Sequence, residues 1–569
     1  MSLSRREFLG RAAAAAFASA GAYGLIDQIA KPVRRESISP DIRLTVATTP
    51  SLPLEQHLYS GLSRVTDNGA IIVVPPLHHM VVTATLTVPP AGFTQAQEVL
   101  ETAIAGLETS GLLDFTPSGM GLAVAWGLPY FNRLPSALAN SFLPVDVVAS
   151  RANGHKTLAV IDAIGFPSDS AGTLLEGNDV AFVMASDSLA NLTTAQDAIF
   201  NGPPGALMTV TSIRRGFVDG HQIGTGTQSL TKQMAMAAKI PRARAIPNSA
   251  ELFLGFTSTQ ELALGSTVIA NLETLPGLTD QWLNGYFRHG TTMHLSHIFE
   301  DLKAWYGTTF KTRAGSSSTP SNKVPHGTLT IPEGPTQVEA LAQVQADIAK
   351  YGYVGHSSSM QPASRLHERV VDNYGIVWPP GTAIPQRADF NTLDNPFAFS
   401  SNPQLDQLGT KPAAGVHFLS YMPTSSLFHR VRNAMDGQYD NNIALGTNAV
   451  HGPFNSVLQA THRQNYLVPP EGTPLVPPGR TPRLTPHTRA SPERCGHGIP
   501  GQNRPADTSR LPVRGQETHA QPLEFGHHPA CAGHLGVQHR SLGPLWITKA
   551  LHDFMAHFGQ RRHDRVQLP

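Results

Sequence analysis

Apolar positions recur along the chain at two spacings, one that suits strands and one that suits helices. Ala70-Ile71-Ile72-Val73-Val74 and the run from Met80 to Val88 are rich in β-branched residues and predict strands. From Thr94 to Leu107 the spacing changes, and Val99, Leu100, Ala103, Ile104 and Leu107 share one face of a predicted helix. Thr94, with Gln97 three residues later, predicts a capping box at its start. Strands over Gly121–Leu128 and Asp179–Ala185 and a helix from about Leu192 to Phe200 complete a β-α-β-β-α order. Such an order suggests helices on one face of an antiparallel sheet.

A comparable order recurs further on. Glu251-Leu252-Phe253-Leu254-Gly255 and Thr291 to Ile298 predict strands, and Phe299 to Tyr306 a helix start. Thr336 to Lys350 predicts a helix with Val338, Leu341, Val344 and Ile348 inward. Gly415 to Tyr421 alternates as a strand, followed by a helix from Ser426 to Met435. The fold class expected is α+β, with two similar halves. From about Pro470 the chain is crowded with Pro, Arg and His and no period is sustained, which predicts a disordered or out-of-frame tail without chemistry.

Composition adds exclusions. The 569 residues are 40% hydrophobic, enough for a sizeable core, and a net charge of +1 removes the compositional case for a nucleic-acid partner. The two cysteines, Cys495 and Cys531, both fall in the tail, so neither a disulfide framework nor a zinc–thiolate site is expected before it. Ser4-Arg5-Arg6-Glu7-Phe8-Leu9 matches a twin-arginine export signal. The alanine-rich stretch from Arg11 to about Ile26 is too short and too weakly apolar for a stable membrane span, which needs ~20 apolar residues. Ala18-Ser19-Ala20 is one of several small-residue cleavage motifs there. The expected organisation is a signal peptide over 1–30, a linker over 31–64, a first half over 65–210, a second half over 211–465 and the tail over 466–569. The implied location is periplasmic, cell-surface or extracellular, with the twin-arginine machinery as a partner.

The motif that orients a functional reading is Arg215-Gly216-Phe217-Val218-Asp219-Gly220, where two glycines bracketing an aspartate suggest a tight turn presenting one carboxylate. This segment resembles the glycine-aspartate-glycine signature of the dye-decolourising (DyP-type) haem peroxidases, and the resemblance runs over roughly residues 65–460. Gly121 to Gly127 and Asp179 to Val183 before it are similar to that family's strands, as are Glu251 to Phe256, Gly290 to Trp305 and Gly415 to Tyr421 after it. The resemblance implies two ferredoxin-like halves of the dimeric α/β-barrel type, with haem b (iron protoporphyrin IX) between sheet and helices. It implies Asp219 as the distal carboxylate that moves a proton on bound peroxide, and Arg387 as the cation stabilising negative charge on the leaving oxygen. It makes His356 the iron's axial ligand, with His367 the competitor, and Gly216 and Gly220 part of the cofactor site. Hydrogen peroxide and a bulky phenolic or dye-like electron donor would be its substrates. Trp305, Tyr306 and Trp378 are relay candidates, and formation of a homo-oligomer is left open.

Two departures accompany the resemblance. His221-Gln222-Ile223-Gly224-Thr225-Gly226 stands where the family has an Asn-Pro neighbourhood, and Met422 to Leu427 contains no acid to bond the axial imidazole. A haem-binding or cofactor-free, non-catalytic member of the fold is therefore the alternative. His294 and His297 fall on opposite faces of a predicted strand, and the adjacent His78 and His79 diverge, so neither pair is expected to hold a metal. Gly224-Thr225-Gly226 is too short for a dinucleotide fingerprint, and neither a Walker sequence nor a nucleophile elbow is present.

Overall fold

The computed structural model describes most of residues 70–469 together with 22–29 and 63–67. Residues 114–118, 220–227, 257–277, 282–285, 331–338, 398–411, 445–453 and several shorter stretches lie outside the description. The chain divides at Thr485 into two units, and every described residue belongs to the first. Arg5 and Arg6, His367, Gly220 and nearly all of the expected tail are outside the described residues.

The first half contributes strands β1 (His78–Leu86), β2 (Met120–Gly127), β3 (Val180–Ser186) and β4 (Met208–Phe217), with helix α1 (Phe93–Thr109) between β1 and β2 and α2 (Leu189–Gln196) between β3 and β4. Helix α3 (Leu230–Ala237) follows. The second half contributes β5 (Thr291–Glu300), α4 (His356–Ser364), β6 (Phe390–Thr392), β7 (Gly415–Met422), α5 (Ser425–Met435) and β8 (Leu458–Val468). Within the first half the antiparallel order is β4-β1-β3-β2, and within the second it is β8-β5-β7-β6. Numbered within its own half, each is the 4-1-3-2 order of a ferredoxin-like unit.

The two sheets are also joined at both edges. Tyr466 of β8 pairs with Gly127 of β2, and Asn391 of β6 pairs with Phe217 of β4. The ladder therefore closes into an eight-stranded ring through two short seams. The β4–β6 seam is the narrower join, resting on that one residue pair.

Side chains alternate between the inside of the ring and its helix-covered outside. On the outside of the first half, Met80, Val82, Leu122, Val124, Trp126, Phe182 and Met184 pack with Phe93, Leu100 and Ile104 of α1 and Leu192 of α2. Burying each large side chain of this kind contributes ~1.5–3 kcal/mol. The inside is mixed. Val81, Ala125, Ala181, Leu295 and Leu419 share it with Thr83, Ser212, Arg214 and a row of histidines.

Several expectations are corrected. The boundary expected at 210/211 cuts β4, which completes the first sheet, and β8 runs to Val468, past the edge expected at 465. Helix α1 begins at Phe93 after a 3-10 turn (Pro90–Gly92), so Thr94 already lies inside it and no side chain caps it. Gln97 donates instead to Glu101. Glu251 to Gly255 is a turn rather than a strand, with Gly255 at φ 90°. Its carbonyls are taken by side chains: Glu251 O accepts from Thr231 and Asn391, Phe253 O from Tyr306 and Leu254 O from Trp305. A backbone satisfied in this way has no need of a ladder. Residues 22–29, expected in the leader, are packed into the fold.

Candidate haem-ligand site

His356 opens α4 directly after Gly355. A Cβ on Gly355 would lie 2.1 Å from the Ser318 carbonyl, so only glycine lets the two segments approach closely enough to place the next residue there. The His356 ring stacks on Phe454 at 4.3 Å and borders a small cavity of about 10 Å³ with Ser359, Met435 and Asn455. Burial, then the charges of Arg387 and Arg432, lowers the imidazole pKa to about 3, so the ring is neutral at any physiological pH. Its Nδ1 is enclosed without a hydrogen-bond partner among the described residues.

Arg387 lies in a two-residue strand (Gln386–Arg387) paired with β7 opposite Ser420, its Nε 3.9 Å from Asp389. Asp219 lies two residues beyond β4 and is buried, and its Oδ2 accepts a 2.9 Å hydrogen bond from the Thr231 amide in the first turn of α3. The Phe217–Asn391 pairing runs the chain from Phe217 to Asp219 alongside the chain from Asn391 back to Arg387. Gly216 is not part of a turn. It sits inside β4, where a Cβ would meet the Asn391 carbonyl at 2.2 Å, and so serves the close approach of β6.

The structure therefore brings His356 and Arg387 into electrostatic range and ties Asp219 to the start of α3. Arg432 of α5 and Phe454 were not foreseen, because neither belongs to a motif and both reach His356 through tertiary packing alone. Phe454 continues to Trp305 with ring centroids 5.9 Å apart, and Trp305 to Phe256 at 6.4 Å. Trp305 is itself buried.

The remaining histidines behave as strand parity requires. His294 faces α5, stacked on Phe428, while His297 points into the ring. Because Asn465 Nδ2 donates to Ile161 O, its Oδ1 must accept from His294 Nδ1, which leaves His294 Nε2 to accept from Ser296. Inside the ring, His417, His297 and His462 stand in register on three adjacent strands, and Arg214 is paired with Glu176. Among the described residues no group of three or more His, Cys, Asp or Glu side chains is placed to hold a metal ion. A haem iron asks for less, since a single axial imidazole suffices. Neutral, partly enclosed His356 fits that donor. The cavity beside it, about 10 Å³, is no larger than a single water needs, so a porphyrin requires its lining to move apart.

The family of unknown function DUF7405 matches residues 76–470. The chain belongs to this family. None of the curated proteins matches it. Among solved structures it is similar to a variant of DypB from Rhodococcus jostii RHA1 in complex with heme, at 13% identity and a TM-score of 0.40, covering 70% of this chain and 94% of that one. It is also similar to the DyP-type peroxidase from Cellulomonas bogoriensis (15% identity, TM-score 0.42, 70% and 90% covered). A third is the encapsulated DyP-type peroxidase from Mycobacterium smegmatis (11% identity, TM-score 0.42, 74% and 99% covered).

Proposed function

We propose that this member of the family is a haem-dependent peroxidase that reduces hydrogen peroxide at the expense of a bulky aromatic donor, and that it reaches the cell exterior by the twin-arginine route. The observation that carries the reading is His356, an imidazole kept neutral first by burial and then by the charges of Arg387 and Arg432. His356 would hold the iron of haem b, and haem, when bound, supplies a redox-active metal for peroxide chemistry. Arg387 would place positive charge where negative charge develops on a leaving oxygen. Asp219 would carry the proton, its carboxylate held in place by the Thr231 amide. Of the three aromatic relay candidates, Trp305 has the support of a ring-to-ring connection to His356 through Phe454.

One observation favours a second reading, a haem carrier without peroxide turnover. Among the described residues no acid bonds the Nδ1 of His356 to make the imidazole a stronger donor to iron. Titration of the purified chain with haem tests both readings. A Soret band that is present in the wild type and lost in His356→Ala supports the ligand, and an unchanged spectrum in the variant moves the ligand elsewhere. Peroxide turnover then separates enzyme from carrier. In an enzyme, Asp219→Asn should slow the reaction by ~10²–10⁴-fold and Arg387→Leu by ~10²–10³-fold, with haem retained.

A further inference from the structure

Residues Ala22–Ile29 form a short 3-10 and helical segment that places Tyr23, Leu25 and Ile26 in the core. Leu25 and Ile26 are buried with Leu77, Phe217, Leu230 and Met234. Tyr23 is buried beside them. Its hydroxyl oxygen lies 2.8 Å from the Arg215 carbonyl, 2.9 Å from Asp394 Oδ1 and 3.1 Å from Thr392 Oγ1. Arg215 belongs to β4, Thr392 to β6, and Asp394 lies just beyond β6, so the phenol straddles the seam that one residue pair closes. Asp27 adds a hydrogen bond, its Oδ1 2.7 Å from His78 Nε2 at the start of β1.

We infer that the export leader ends immediately before this segment, at Ala18-Ser19-Ala20, and that Gly21 onward stays in the mature protein as a clasp across the β4–β6 seam. The inference rests on reading Arg5-Arg6 as an export signal. A signal peptidase requires small residues in extended chain at the bond it cuts. Beyond Tyr23 the chain is held by buried side chains, and Ala22 is already in the 3-10 turn, which disfavours cutting after it. At Ala20–Gly21 the amide bond breaks and water supplies both products, a carboxylate on Ala20 and an amine on Gly21.

Export of the full chain, followed by intact mass and N-terminal sequencing, tests the position of the cut. A mature chain starting at Gly21 is expected. An exported chain that keeps Met1, or one that starts at Leu25 or later, overturns the inference. Retention of the wild type in the cytoplasm overturns the export reading and the processing step together. The clasp is read separately, by the thermal melting of full-length Tyr23→Phe and of chains begun at Gly21 and at Lys31. Loss of the buried hydroxyl should lower the melting temperature by ~2 °C or more, and starting at Lys31 should lower it further or abolish folding. Equal melting of Tyr23→Phe and the wild type overturns the clasp whatever the outcome of export.

Discussion

The two halves share one topology and differ in what their helices cover. In the first, α1 and α2 lie over Met80, Val82, Leu122, Val124, Trp126 and Phe182, a largely apolar face. In the second, α5 lies over His294, Ser296 and Asn465, and brings His429 and Arg432 of its own. Arg432 and the buried Arg463 both reach Asp169. Each polar group there costs stability unless it is bonded, and the bonds just named offset that cost. The first half thus resembles a plain folding core. The second keeps charge and neutral imidazole beside its helices, and His356 and Arg387 are found on that side.

Substitutions that exchange the two characters would break this contrast. Trp126→Ala, in the apolar half, should cost ~3–5 kcal/mol by removing a large ring from a packed face, read from the midpoint of chemical denaturation. A loss below ~1 kcal/mol would show that this face can collapse around the gap.

Acid should act mainly on the polar groups. Burial holds His294, His297 and His417 well below the usual imidazole range and pushes His429 and His462 to about 4. Unfolded, these groups take up protons near pH ~6.5, while the folded chain does not. Their contribution is therefore complete above that pH and is lost as pH falls, at ~1.4 kcal/mol per pH unit for each proton taken up. Asp394, raised to about 6, and Glu300, raised to about 8, oppose this because folding favours their neutral forms. The histidines outnumber them, so stability should fall between pH ~6.5 and ~4.5. Denaturation midpoints that stay flat over this range would contradict the burial of the row.

A smaller effect is expected from the charge on Asp219. Asp219→Asn keeps an acceptor for the Thr231 amide but removes an anion from the start of α3, which should cost ~0.3–1 kcal/mol. The mildest test concerns the site itself. Arg387→Leu removes one of the two cations facing His356, so that imidazole should titrate at a higher pH than in the wild type, as followed by proton NMR. An unshifted titration would place Arg387 too far away to serve the site.

Much of the plan was legible without coordinates. The β-branched run at Met80 to Val88, the helical spacing from Thr94 to Leu107 and the alternation at Gly415 to Tyr421 each report their own element. Strand parity alone separated His294 from His297. The strands β4 and β8 escaped notice because a ring with a polar interior erases alternation. Thr209, Thr211, Arg214 and Arg215 in β4, and His462, Arg463, Gln464 and Asn465 in β8, put polar residues on both faces.

What the sequence by itself determined is local: periodicity, parity, the order of the motifs and the absence of an acid after Met422. These depend on neighbours within one strand or one turn of helix. Only the tertiary structure decided that the two sheets close into a ring, that Tyr23 packs across the β4–β6 seam, and that Phe454 stacks on His356 within range of the Arg432 charge. Those pairings join residues up to hundreds of positions apart, and they follow from which surfaces are left to be buried once the elements have formed.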